Sequence, residues 1–249
     1  MNVLITGATA GFGLAIARRF IQDGARVIAT GRRTERLESL RAELGERLLP
    51  LTLDITDREA VERTVRSLPA DFAEVDVLVN NAGLALGLDL AQSARVEDWD
   101  TMVDTNVKGL LYCTHAVLPG MVARNRGHVI NMGSVAAEWP YPGGNVYGAT
   151  KAFVHQFSLN LRADLHGTAV RVTDIEPGLV GGTEFSNVRF KGDDARAASV
   201  YANTQALTPE DIADAVHWVA TRPAHVNINV MSLMPVSQSF GPLPVKRQG

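Results

Sequence analysis

The sequence predicts an α/β protein in which residues 1–249 form a single domain, a doubly wound parallel sheet with helices on both faces. Three observations predict it. Short β-rich runs alternate with longer segments of helical period along the chain. A glycine-rich turn stands between the first of these strands and the first helix. No linker, internal repeat or low-complexity tract divides the 249 residues, an ordinary length for one α/β unit.

The elements follow in order. Val3–Thr6 is the first strand, and Phe12–Asp23 a helix with Leu14, Ala17, Phe20 and Ile21 on one face. Val27–Thr30 is the second strand and Thr34–Leu44 a charged helix. Leu48–Leu53 is the third strand, Asp57–Leu68 a helix and Val75–Val79 the fourth strand. A long helix from about Thr105 to Arg124 precedes the fifth strand, His128–Met132. Asn145–His166 is a helix and Val170–Ile175 the sixth strand. Thr208–Thr221 is a helix opened by Thr208-Pro209-Glu210, because proline suits the first turn. Asn227–Leu233 is the last strand. Strands that alternate with helices in this way make a parallel sheet covered on both sides.

Two segments are irregular. Residues 178–206 are long, polar and glycine-containing, and are read as a substrate lid, with a mobile surface loop as the plainer alternative. Gly181-Gly182 is the expected hinge. Residues 235–249 carry Pro235, Pro242 and Pro244 and read as an extended tail, either disordered or a subunit-contact arm.

Composition narrows the function classes. Hydrophobic residues at 46% and charged residues at 20% describe a globular chain. Lys+Arg 24 against Asp+Glu 27 gives a net charge of −3, which argues against a nucleic-acid partner. A single cysteine, Cys113, excludes an internal disulfide and a four-thiolate zinc site. Six scattered histidines show no metal-ligand spacing, so no metal is expected. No run of about 18 apolar residues spans a membrane, and no secretory leader is visible, so the expected location is the cytoplasm.

The turn Thr6-Gly7-Ala8-Thr9-Ala10-Gly11-Phe12-Gly13 carries the first chemistry. Glycines let a pyrophosphate approach the backbone N–H groups, and the helix that follows offers unpaired donors and a partial positive charge. The spacing differs from G-x-G-x-x-G, and no Gly-Lys-Ser/Thr follows, so it is not a Walker loop. After the second strand an NAD site wants an acid, whereas an NADP site wants arginine for the 2′-phosphate. Here Thr30-Gly31-Arg32-Arg33 stands, with no acid before Glu35, so NADP is the expected cofactor and Arg32 and Arg33 its phosphate ligands. The plainer alternative has both arginines merely opening the solvated helix face that Arg36 and Arg41 continue.

Tyr147 and Lys151 are four apart on a helix and share a face. Tyrosine with its ordinary pKa of about 10 is a poor base, and a nearby ammonium favours the phenolate. Ser134 follows the fifth strand, where open α/β sheets bind ligands, and its hydroxyl suits a substrate oxygen. Trp139, Pro140 and Tyr141 come next, either as a pocket wall or as packing under a lid. The acids of Val96-Glu97-Asp98-Trp99-Asp100 read as a helix N-terminus.

Together, Thr6-Gly7-x-x-x-Gly11-x-Gly13, Asn80-Asn81-Ala82-Gly83, Asn106, Ser134, Tyr147-x-x-x-Lys151 and Pro177-Gly178 resemble the short-chain dehydrogenase/reductase family over about the whole chain. The resemblance implies a Rossmann-type domain, commonly a homotetramer. It implies Tyr147 as acid/base, Lys151 on the nicotinamide ribose while lowering the tyrosine pKa, Ser134 on the substrate oxygen and Asn106 holding a relay water. It extends the cofactor contacts to Gly7, Thr9, Gly11, Phe12 and Gly13, to Asp54 at the adenine, to Asn80, Ala82 and Gly83, and to Pro177, Gly178 and Val180. Ala10 stands where some NADP members have a basic residue, leaving the phosphate to Arg32 and Arg33. The runs Asn145–Phe153 and Asp174–Ser186 further resemble bacterial NADP-dependent 3-hydroxy acid dehydrogenases, which oxidise serine and allo-threonine, some also reducing malonic semialdehyde. Such a substrate carries a carboxylate that needs a paired cation. Arg189 is the first choice and Lys191 the second. Two rival functions remain, a broad NADPH carbonyl reductase and a non-catalytic NADP sensor.

Overall fold

The computed structural model describes residues 1–241. Seven strands form one parallel sheet: β1 Asn2–Thr6, β2 Arg26–Gly31, β3 Leu48–Thr52, β4 Val77–Asn80, β5 Gly127–Met132, β6 Val170–Pro177 and β7 Val230–Leu233. Their order is β3-β2-β1-β4-β5-β6-β7, so the winding reverses between β1 and β4. At such a switch point the loops at the carboxyl ends part and leave a crevice.

Strand side chains alternate between two cores. Val3, Ile5, Val77, Val79 and Ile130 face one side and pack against α1 (Gly11–Gln22) and α2 (Thr34–Leu44), with α10 (Pro209–Ala220) beyond. Leu4, Leu78 and Val129 face the other. That side is covered by α3 (Arg58–Arg66), α6 (Leu110–Ala123) and α7 (Asn145–Asp164), through Val61, Cys113, Val117 and Leu161. Burial pushes the Cys113 thiol up to about 12, so it serves as inert core. Short helices α4 (Ala70–Ala73), α5 (Val96–Val103), α8 (Phe185–Arg189) and α9 (Asp194–Ser199) complete the fold. No described helix is long and apolar enough to cross a membrane.

Four expectations change. The long helix begins at Val96 and not at Thr105, with Glu97 and Asp98 in its first turn. It passes through a π-helical stretch, Asp104–Gly109, before α6. The wider turn breaks the 3.6-residue period, which is why sequence periodicity starts the helix late. The 178–206 segment is not irregular throughout, since it holds α8 and α9, the latter capped by Asp193. Helices of five and six residues are too short to show a period. The last strand starts at Val230, because at Asn227 the side chain, not the backbone, bonds the edge of β6 at Val172. The start of the tail is ordered against the rest of the molecule. Gln238 accepts from Leu179 N at 2.7 Å, and Phe240 packs on Trp139 with ring centroids 4.3 Å apart. Pro242, Pro244 and the rest of residues 242–249 lie outside the described residues.

Candidate active site

A cavity of about 960 Å³ opens along the carboxyl ends of β1, β4, β5 and β6. Gly7, Thr9, Gly11 and Phe12 line it, followed by Arg32, Arg33 and Asp54 at one end. Ala82 and Gly83 line its middle, and Ser134, Tyr147, Lys151, Pro177, Gly178, Val180 and Arg189 its other end. Three expected contacts stand back from the wall. Gly13 packs under the loop, where a Cβ would strike the Gly7 carbonyl. Asn80 is buried below, donating to Thr114 Oγ1 and Asn131 Oδ1 at 2.9 Å each. Asn106 lies behind Gly83, where its Oδ1 accepts from Leu84 N and its Nδ2 donates to Leu84 O and Thr150 Oγ1. One Oδ1 lone pair stays free for a water. The π-helical turn sets Asn106 there.

The loop end has the form of a dinucleotide cradle. Gly7 (φ 70°) and Gly11 (φ 53°) adopt left-handed backbone, which side chains resist. A Cβ at Gly7 would lie 3.0 Å from Ala82 Cα. Helix α1 starts at Ala10 with no side-chain cap, so its first-turn N–H groups face the loop unpaired. Asn81, which sequence reading passed over, donates to the Thr6 and Gly7 carbonyls and ties β4 to this loop. Asp54 lines the cavity while accepting from Thr56 N and Oγ1. The arginine pattern is richer than expected. Arg33 donates to Thr9 Oγ1 and to Glu184, and Arg36 donates to the other Glu184 oxygen at 2.7 Å. Arg36, read as solvated surface, therefore shares a carboxylate with Arg33, whereas Arg32 remains exposed on the rim. The donors, glycines and cations present fit a phosphorylated dinucleotide.

At the other end, α7 sets Tyr147 and Lys151 on one face. Burial raises the Tyr147 phenol to about 12, while a hydrogen bond with Ser134 and the Arg189 guanidinium act the other way. Burial lowers Lys151 to about 8, opposed by Asp174. Lys151 Nζ donates to Met132 O at 2.6 Å and lies 5.8 Å from the Tyr147 ring centre. The groups that favour the Tyr147 phenolate in this structure are Ser134 and Arg189, while Lys151 Nζ is bonded to the Met132 carbonyl. Ser134 Oγ also accepts from Ala136 N, holding its loop as a cap.

The lid brings Phe185 edge-on to Tyr147 at 5.7 Å. Arg189 lies 5.1 Å over the Tyr147 ring and donates to Tyr141 Oη at 2.8 Å, while its buried Nε has no partner. Trp139, Pro140 and Tyr141 are cavity wall. Lys191, the second choice for a carboxylate, is spent on Asp98 at 2.7 Å and stands off the cavity. Gly182 takes φ 68°, a left-handed backbone that favours glycine.

The family model for short chain dehydrogenases matches residues 1–194. The chain belongs to the short-chain dehydrogenase family. Within that family it is 70% identical to the NADP-dependent 3-hydroxy acid dehydrogenase of Salmonella typhi, over 99% of this chain and 100% of that protein. It is 53% identical to the serine 3-dehydrogenase of Agrobacterium fabrum, over 99% of this chain and 98% of that protein. The structure superposes on the closed form of a serine dehydrogenase complexed with NADP+ at TM-score 0.99, with 68% identity and both chains fully covered.

Proposed function

We propose that this chain is an NADP-dependent oxidoreductase acting at the C3 hydroxyl of small 3-hydroxy acids. Its substrates are serine, allo-threonine and 3-hydroxypropionate in one direction, and a semialdehyde such as malonic semialdehyde in the other. The supporting relatives are the 3-hydroxy acid and serine dehydrogenases named above. The observation that carries the reading is Arg189. A half-buried guanidinium whose buried Nε has no hydrogen-bond partner among the described residues, facing the cavity beside Tyr147, is an arrangement that an anion completes.

The backbone donors of the Gly7–Phe12 loop and Arg33 with Arg36 hold the dinucleotide, and Lys151 takes its nicotinamide ribose. When bound, NADP supplies hydride acceptance and donation. Ser134 fixes the substrate oxygen, and Tyr147 removes the hydroxyl proton during oxidation or returns it during reduction. Arg189 pairs with the carboxylate and so places C3.

The test is Arg189→Ala. Activity on 3-hydroxy acids falls by about 10²-fold, the loss of a charge-assisted pair, and activity on an uncharged ketone falls far less. Equal losses on both would leave Arg189 only ordering the lid. We also propose a homotetramer, supported by the exposed Phe153 of α7, which stacks on the core-packed Phe157.

A further inference from the structure

Behind the site lies a group of ionisable side chains that the proposed reaction does not use. Lys151 and His155 are one helical turn apart on α7. Facing His155 from β6 are Asp174, 0% exposed, and Glu176, 2% exposed, and the Asp174 carboxylate lies against Gly133, next to the Met132 carbonyl that takes Lys151 Nζ. His155 Nδ1 lies 2.9 Å from Glu176 Oε1 and 3.3 Å from Asp174 Oδ2. Glu138 brings a third carboxylate to within 4.8 Å of His155 and Glu176 from the exposed side. The Asp174 carboxylate presses on Gly133, where a Cβ would strike Oδ1, and among the described residues neither oxygen has a hydrogen-bond partner. Two buried carboxylates side by side cannot both stay bare in an apolar core.

We propose that Asp174, backed by Glu176 and His155, is a positioning residue: the buried counter-charge that keeps the Lys151 ammonium in place beneath the cofactor ribose. The inference rests on the reading of Tyr147 and Lys151 above. Burial works against the Lys151 charge, and Asp174 is the group that opposes this loss. Burial and the neighbouring Glu176 raise Asp174 to about 7, and Glu176 is raised too, so near neutrality a shared proton supplies the bond that two bare carboxylates lack. His155 favours the charged form of both carboxylates and so strengthens the counter-charge that Lys151 feels. The groups around Lys151 are therefore Tyr147 from its own helix, Asp174 from β6, the Met132 carbonyl and the neutral Asn106 from the π-helical turn, while His155 and Glu176 act on Asp174. A carboxylate at position 174 is thus a device for the reaction and not a stabiliser of the fold.

The signs follow directly. Asp174→Asn removes the charge that holds the lysine proton, so Lys151 is neutral at lower pH. The alkaline limb of semialdehyde reduction then moves down by about one unit or more, the scale of one close charge. NADPH affinity, read by protein fluorescence across the same pH range, weakens at correspondingly lower pH. His155→Gln raises both carboxylates and moves the limb the same way. His155→Arg keeps a fixed cation and holds the limb at or above the parent's. A limb unmoved in Asp174→Asn, or a downward shift in His155→Arg matching that in His155→Gln, overturns the inference. If Asp174→Asn does not fold, the two His155 variants decide. Tyr147→Phe separates the two levels. Retained turnover there sinks the proposed reaction itself, whereas lost turnover with unmoved limbs sinks only the role of Asp174.

Discussion

At the scale of single residues, the site is a contest between burial and a few hydrogen bonds. Tyr147 sits in a pocket that holds its phenol near 12, well above neutrality. Its use as an acid/base therefore depends on Ser134, on Arg189 and on the positive charge that NADP brings when bound. Tyr147→Phe keeps the ring against Phe185 and Arg189 and deletes only the proton. Turnover should fall by at least about 10²-fold, the usual weight of acid/base catalysis, with NADP affinity nearly unchanged. Steady-state rates and a cofactor titration check both halves. Because the raised phenol pKa disfavours the base form, oxidation should rise with pH through neutrality, and reduction should not. Tyr147 and Lys151 could be named from the sequence because a four-residue step on a helix carries its own geometry. Asp174, Glu176 and His155 could not, since they meet only after β6 lies beside α7.

At the scale of elements, the lid and the cofactor end are joined. Glu184, just before α8, holds Arg33 and Arg36 at the start of α2. These exposed pairs add little stability by themselves. Their value is placement, since they keep two guanidiniums converged where the proposed reading puts the 2′-phosphate. Arg33→Asp should lower the ratio of NADP to NAD catalytic efficiency by roughly 10²-fold, by losing one charge-assisted contact and adding repulsion. Comparing both efficiencies in the variant and the parent tests it, and an unchanged ratio places the phosphate elsewhere. Arg33 was legible from its position after β2. Arg36 was not, because its partner lies 148 residues away in the lid.

At the scale of the whole molecule, one sheet does two tasks. Its two faces bury separate aliphatic cores, and its carboxyl edge at the β1–β4 reversal leaves the cleft. The covered faces leave Phe153 on α7 exposed. Phe153→Asp should break the proposed tetramer into smaller species while leaving the fold intact. Light scattering coupled to size exclusion, with circular dichroism as the control, reads this. A tetramer that survives the charge would move the interface off this face.

The sequence by itself determined the alternation of strands and helices, the glycine cradle, the Tyr147–Lys151 pair and the arginines after β2. All of these are written in local spacing, where a turn or a helical step is complete within a few residues. Only the tertiary structure decided that Asn80 and Gly13 stand behind the cavity wall, that residues 238–241 fold back over it, and that Arg189 rather than Lys191 faces Tyr147. Those outcomes depend on which distant groups satisfy one another first. Lys191 found Asp98 across 93 residues, and the buried Nε of Arg189 was left without a partner among the described residues. Pairings of that kind are set by the packing of elements and leave no period or motif in the chain.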